Sequence, residues 1–96
     1  MLFSTLQIDK AVTTSQRLLM SNNPRRVSLT FFPPQTGTCT VGPGTAITAT
    51  TGITLTAGMS PVYVDVRLQG EAVQQEWYIF YTSGATPISF IESIEG

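Results

Sequence analysis

The chain has 96 residues, of which 42% are apolar and 11% are charged, and its formal net charge is −1. This length suits a single domain, and the high apolar content with little net charge excludes a disordered chain. Five basic residues against six acidic ones form no basic stripe, so we expect no nucleic-acid partner.

Residues that carry chemistry are scarce. There is no histidine, and the lone Cys39 has no base of the usual kind, so it is interpreted as a small buried apolar residue. Asp65, Glu71 and Glu76 lack the D-x-D-x-D spacing of a calcium loop, and no phosphate-loop motif is present. No apolar run approaches the ~18 residues of a membrane span. We therefore expect no enzyme, no cofactor, no metal and no membrane partner.

The first element in the chain is Met1–Ile8, whose residues alternate loosely between apolar and polar. It is either an ordinary first strand or an arm donated to a neighbouring subunit. Residues 1–10 are accordingly set apart from a β-sandwich domain of residues 11–96. In Ala11–Met20 the run Val12–Thr14 is a poor helix former, so a strand is favoured over a short helix from Ser15.

The segment Ser21–Phe32 indicates a turn that leads into a half-buried strand. The turn is Ser21–Pro24, and the strand begins at Arg25 and ends before Pro33–Pro34, which cannot continue a ladder. The predicted faces are Val27, Leu29 and Phe31 on one side and Arg26, Ser28 and Thr30 on the other.

The middle of the chain is rich in threonine, whose branched side chain favours strands. Short strands are predicted at Thr38–Val41, Ala46–Thr50 and Ile53–Thr56. The glycines of Gly42–Gly44 predict a turn after the first of these, and Ala57–Met59 predicts another after the last.

Three further strands complete the pattern. Ser60–Leu68 alternates most clearly, with Val62, Val64, Val66 and Leu68 on one face. After a polar connection at Gln69–Gln74, the strand Glu76–Tyr81 is aromatic on both faces, and Pro87–Ile94 is the last strand. About eight short strands with regular turns predict an all-β fold, a single small antiparallel β-sandwich or barrel.

Several of these segments occur in a recognisable order: a Thr-rich strand, an NPxR-type turn with an aliphatic strand, a glycine turn, a G-I-x-L-x-x-G segment, and a closing aromatic strand. They are Val12–Gln16, Asn23–Leu29, Thr40–Gly44, Gly52–Gly58 and Trp77–Glu92. In this order the chain resembles the small all-β virion structural proteins of tailed bacteriophages. It departs from them at Phe31–Pro34, where those proteins have an Asn-rich turn, and in the apolar segment before Asp9.

The resemblance implies a virion structural protein. We expect a capsid decoration or cement protein on the capsid exterior, made in the bacterial host cytoplasm, that binds the major capsid protein and stabilises the shell. A homo-oligomer is expected, with a trimer favoured at a local three-fold position. The alternative is a tail, neck or head-fibre accessory protein, or a host-surface glycan-binding module. An exposed Trp77 or Tyr78 would favour the glycan-binding module.

The candidate interface residues are apolar, aromatic or arginine side chains. They are Leu2, Phe3, Leu6, Ile8, Arg25, Arg26, Phe32, Tyr78 and Phe80. Arginine offers a bidentate fork to an acidic partner, although the two arginines could equally solvate a loop or pair with Glu71 or Glu76. Alternation places Tyr78 and Phe80 opposite Trp77 and Tyr81, so this strand can serve both a core and an oligomer interface.

Overall fold

The computed structural model describes residues 1–9, 12–44 and 52–96. The described residues form eight strands: β1 (Leu2–Ile8), β2 (Arg17–Met20), β3 (Arg26–Phe31), β4 (Thr38–Pro43), β5 (Ile53–Thr56), β6 (Val62–Asp65), β7 (Trp77–Tyr81) and β8 (Ser89–Glu95). A four-residue helix, α1 (Val66–Gln69), and a 3₁₀ helix (Gly70–Gln74) connect β6 to β7.

The strands form two four-stranded antiparallel sheets. The first, called the β1 sheet, has the order β1-β8-β3-β6, and the second, the β2 sheet, has the order β2-β7-β4-β5. The first strand pairs with the last, and the pairing continues inward along the chain: β1·β8, β2·β7, β3·β6 and β4·β5. This nested pairing is the topology of a jelly roll. The predicted all-β sandwich is thus confirmed.

The core lies between the two sheets and contains a row of aromatic rings. The Phe31 ring centroid lies 5.3 Å from that of Trp77 and 6.1 Å from that of Phe90. The Trp77 indole N–H donates to the carbonyls of Ala72 at 3.2 Å and Val73 at 3.3 Å. The 3₁₀ helix therefore closes one end of the sandwich over the largest core side chain.

Strand β3 does not alternate as the sequence predicts. Its register against β8 shifts between Arg26 and Ser28, and Arg26 is buried together with Leu29 and Phe31. Val27 is instead half-buried beside Tyr63 at the outer surface. The prediction that groups Val27 with Leu29 and Phe31 is wrong, because a bulge adds a residue and reverses the faces on one side of it.

The predicted strand Ser60–Leu68 ends early. Only Val62–Asp65 is extended, because the Asp65 carboxylate accepts the backbone N–H of Arg67 at 2.7 Å and caps α1. As a result Leu68 is 78% exposed while Val64 is buried. The prediction that these two side chains share a face is wrong.

Strand β4 is longer than predicted, and the predicted turn at Gly42–Gly44 is wrong. Pro43 still pairs in register with Trp77 of β7, and among the described residues β5 pairs with β4 only as far as Val41. The Gly44 N–H donates to the Glu76 carbonyl at 3.0 Å, so the hydrogen bonds of β4 to β7 alternate in a way that directs the Pro43 nitrogen away from β7. Proline therefore costs no bond to β7. The strand predicted at Ala46–Thr50 lies outside the described residues.

The remaining strands follow the predictions more closely. In Ala11–Met20, β2 occupies only Arg17–Met20, and β5, β7 and β8 lie within one or two residues of the predicted bounds. Met1–Ile8 contains β1, which is hydrogen-bonded to β8 of its own chain.

Candidate interaction surface

Strand β1 lies at the edge of the β1 sheet and is exposed on both faces. Six of its seven residues are exposed, and Gln7 is half-buried. Leu6 is 63% exposed and Ile8 is 62% exposed. Monomeric proteins seldom expose large contiguous apolar patches, and where such patches occur they mark interaction sites. The exposed apolar side chains of β1 are therefore candidates for contact with a partner.

The register of the β1 sheet joins β1 to an apolar surface that faces away from the core. Leu6 lies opposite Ile91, Ile91 opposite Thr30, and Thr30 opposite Tyr63, so these four side chains form one row across the sheet. Tyr63 is 55% exposed. We call the outward-facing set the outer apolar face; it consists of Leu2, Leu6, Ile8, Ile91 and Tyr63.

The backbone of β1 presents an open row of hydrogen-bonding groups. At the two ends of the β1·β8 ladder, the Asp9 N–H donates to the Ile88 carbonyl at 3.0 Å and the Gly96 N–H donates to the Met1 carbonyl at 2.7 Å. Because hydrogen-bonded pairs alternate in an antiparallel ladder, the odd-numbered residues of β1 bond to β8. The N–H and C=O groups of Leu2, Ser4, Leu6 and Ile8 therefore point to the open edge.

The other edge strands of the two sheets are shorter or interrupted. Strands β2, β5 and β6 have four residues each; β2 contains a register shift after Leu18, and β6 follows Pro61. Short length, bulges and prolines are the usual protections of an edge against pairing. Strand β1 has seven residues in unbroken register, with no proline and no charged side chain.

The two candidate arginines have opposite environments. Arg25 is exposed, and its Nε donates to the Glu95 carbonyl at 2.7 Å. Arg26 is 1% exposed and pairs with Glu92, with Nε 2.6 Å from Oε2. Arg26 is therefore a structural residue and offers nothing to a partner, and its ion-pair partner is Glu92, not Glu71 or Glu76.

The remaining candidate residues divide between two surfaces. Tyr78 and Phe80 are half-buried on the outer face of the β2 sheet, while Trp77 and Tyr81 point into the core. Phe3 is exposed on the opposite face of β1 from Leu2, and Phe32 is half-buried just after β3. Leu2, Leu6 and Ile8 are thus brought together, and Tyr78 and Phe80 lie apart from them.

A buried polar cluster was not anticipated from the sequence. Asp9 ends β1, and both of its carboxylate oxygens bond the Arg17 guanidinium of β2. The Tyr81 hydroxyl donates to Asp9 at 2.5 Å, and burial followed by this bond raises the pKa of Tyr81. The cluster fixes the end of β1 to the β2 sheet, and no spacing in the sequence signals it.

Groups suited to chemistry are few in the described ranges. There is no set of three acidic, cysteine or histidine side chains able to hold a metal ion in residues 1–9, 12–44 and 52–96. Cys39 is 1% exposed, and burial, followed by the charge of Asp9, raises its pKa to about 12. In the same ranges no helix has the length and apolarity to cross a bilayer.

Comparison with known proteins identifies the fold. No protein-family model matches the chain, and no curated protein matches it by sequence. Among solved structures it is similar to a subunit from Bacillus, described under the heading "Bacillus endospore appendages form a novel family of disulfide-linked pili". The TM-score is 0.57 at 15% identity, over 97% of this chain and 81% of the other. At this identity the similarity shows a shared fold.

Proposed function

We propose that this chain is a bacteriophage virion structural protein, a decoration or cement protein that attaches to the capsid exterior through its outer apolar face. The observation that carries the proposal is the exposure of Leu2, Leu6 and Ile8 on one side of a sheet that already has its core on the other side. The resemblance in segment order supports it. A jelly roll is also a frequent architecture of capsid proteins, an analogy of fold alone.

The mechanism is mechanical. A shell protein that covers the outer apolar face removes apolar area from water at about 25 cal/mol per Å². Ordering and rigid-body entropy offset part of this gain, so a single contact is weak. An oligomer of the decoration protein could contact several identical sites on the capsid lattice at once. The combined contacts bind much more tightly than a single one.

The test is the return of purified protein to capsids that lack it. The double variant Leu6→Ser/Ile8→Ser removes two side chains of the outer apolar face, and Leu18→Ser is the matched control, an exposed leucine on the edge of the other sheet. We expect cosedimentation and cryo-electron microscopy to show full occupancy for the wild type and the control. The double variant should lose most of its occupancy and its effect on the capsid melting temperature.

Equal binding of the double variant and the wild type would contradict attachment through this face. Density at the tail or neck alone would place the protein there as an accessory protein. The glycan-binding alternative has lost one of its supports, because Trp77 is buried.

Assembly into filaments is the other outcome to examine, since the similar Bacillus subunit is described as belonging to pili. Cys39, the single cysteine of this sequence, is buried in the core and is not placed to form such a linkage in the folded state. Filaments seen by negative-stain microscopy of the purified protein would favour this function over decoration.

A further inference from the structure

We propose that two copies of this chain associate by pairing their β1 strands edge to edge in antiparallel orientation. The two β1 sheets then become one continuous sheet of eight strands. This proposal concerns the open backbone edge of β1 and does not depend on the capsid assignment, which concerns the side chains of the outer apolar face.

The alternation of hydrogen bonds in β1 selects the register. The outward groups belong to Leu2, Ser4, Leu6 and Ile8, so a second β1 strand must meet them with its own even-numbered residues. The register that uses all four places Leu2 opposite Ile8 of the second copy and Ser4 opposite Leu6 of the second copy. Each of these pairs exchanges two backbone hydrogen bonds. Thr5 then lies on the two-fold axis, opposite Thr5 of the second copy.

A second copy fits this edge better than the other edges of the same chain. Within residues 1–9, 12–44 and 52–96, the other edge strands β2, β5 and β6 have four residues each, so none of them matches the seven residues of β1. The side chains of β1 carry no charge, so a strand that meets its own copy encounters no like-charge repulsion. Self-pairing is therefore matched in both length and charge.

The arrangement also determines where the apolar side chains lie. A two-fold axis through Thr5 perpendicular to the sheet keeps both outer apolar faces on the same side. Leu2, Leu6 and Ile8 from both copies then form one patch, with Leu2 beside Ile8 of the second copy. Antiparallel pairing at one edge is closed by two copies, so this contact gives a dimer and not the trimer that the sequence favours.

Sedimentation equilibrium over a concentration series provides the first test. We expect the wild type to reach twice the chain mass of 10.4 kDa. Ser4→Pro removes an outward N–H while leaving the bonds to β8 intact, so it should remain folded by circular dichroism and be monomeric. The matched control Ser4→Ala loses the hydroxyl that contacts Ser93 but keeps the N–H, and it should remain dimeric.

A cysteine cross-link tests the register independently of proline. Residues opposite each other in a non-hydrogen-bonded pair have Cα atoms about 4.5 Å apart, within the range of a disulfide. Thr5→Cys should form a disulfide-linked dimer on mild oxidation, and Gln7→Cys, which lies opposite Phe3 of the second copy, should not.

A monomer at every concentration, a trimer, or a folded Ser4→Pro variant that still dimerises would overturn the proposal. Equal cross-linking at both cysteine positions would overturn the register. The variants at Ser4, Thr5 and Gln7 test the backbone edge, whereas Leu6→Ser/Ile8→Ser tests the outer apolar face. Loss of capsid binding by Leu6→Ser/Ile8→Ser with the dimer intact would show that the two proposals are independent.

Discussion

Arg26 shows how a single side chain holds the end of the sandwich together. Besides Glu92, its guanidinium donates to three backbone carbonyls, those of Ser21, Val73 and Gln75. These acceptors belong to the turn before β3 and to the connection before β7. Arg26 was a candidate interface residue on the predicted outer face, but a bulge in β3, invisible in the alternation, turns it inward, where it is 1% exposed.

Arg26→Met should therefore be strongly destabilising. It removes the cation paired with the half-buried Glu92, which keeps only its bond from Gln7, and it removes the guanidinium bonds to the Ser21 and Gln75 carbonyls. Removal of one partner of a buried pair costs about 3–5 kcal/mol. Arg25→Met is the neighbouring control; it removes an exposed contact and should cost less than about 1 kcal/mol. Urea unfolding measured by tryptophan fluorescence compares the two, and equal costs would contradict a structural role for Arg26.

Cys39 should be nearly inert in the folded protein. With its pKa raised to about 12 from an ordinary 9.0, the thiolate fraction at neutral pH falls about a thousandfold, and burial blocks access as well. We expect Ellman's reagent to label the native protein slowly and the urea-unfolded protein within the mixing time. A fast native reaction, or a disulfide-linked wild-type dimer after mild oxidation, would show that Cys39 is accessible.

Two substitutions test whether Asp65 ends strand β6 and begins helix α1 in spite of the alternating sequence pattern. Val64→Ala removes buried methyl groups and should cost about 2 kcal/mol. Leu68→Ser changes an exposed helical residue and should stay within about 0.5 kcal/mol. If β6 continued to Leu68, both side chains would face the core, so comparable losses in thermal denaturation would refute the helix.

What the sequence revealed differs from element to element. The strands β1, β5, β7 and β8 were predictable, because alternation and turn residues are local signals. The errors at Arg26, Leu68 and Gly42–Gly44 arose from three features that local alternation does not show. They are a bulge in β3, the Asp65 helix cap, and a proline whose nitrogen points away from its paired strand β7. The apolar side chains of β1 were identified as interface candidates, but the open even-numbered edge required the register with β8.

The nested pairing of the strands brings titratable side chains from distant segments of the chain together in the core, so the stability of the whole fold depends on their protonation. Asp9, Cys39 and Tyr81 meet where the end of β1 approaches the β2 sheet, and Tyr81 also accepts the Ile88 N–H at 3.3 Å. The pKa values of both Cys39 and Tyr81 are raised, so both groups keep their protons in the folded state. In the unfolded chain each would lose its proton at the ordinary value.

Stability should consequently be complete below about pH 9 and should fall as the pH rises further, since the unfolded chain then binds fewer protons than the folded one. Cys39 contributes a slope of about 1.4 kcal/mol per pH unit between its ordinary pKa of 9.0 and about 12, and Tyr81 adds a similar slope above its ordinary 10.0. Urea unfolding at intervals from pH 8 to pH 11 measures this decline through the fluorescence of Trp77.

Two variants assign the decline to its groups. Cys39→Ala should be less stable at neutral pH but should keep its stability up to about pH 10, where the Tyr81 contribution begins. Tyr81→Phe should lose its bond to Asp9 and retain the earlier slope of Cys39. Identical pH profiles for both variants and the wild type would mean that neither buried group links folding to protons. In that case the alkaline loss would arise from charge repulsion over the surface as a whole.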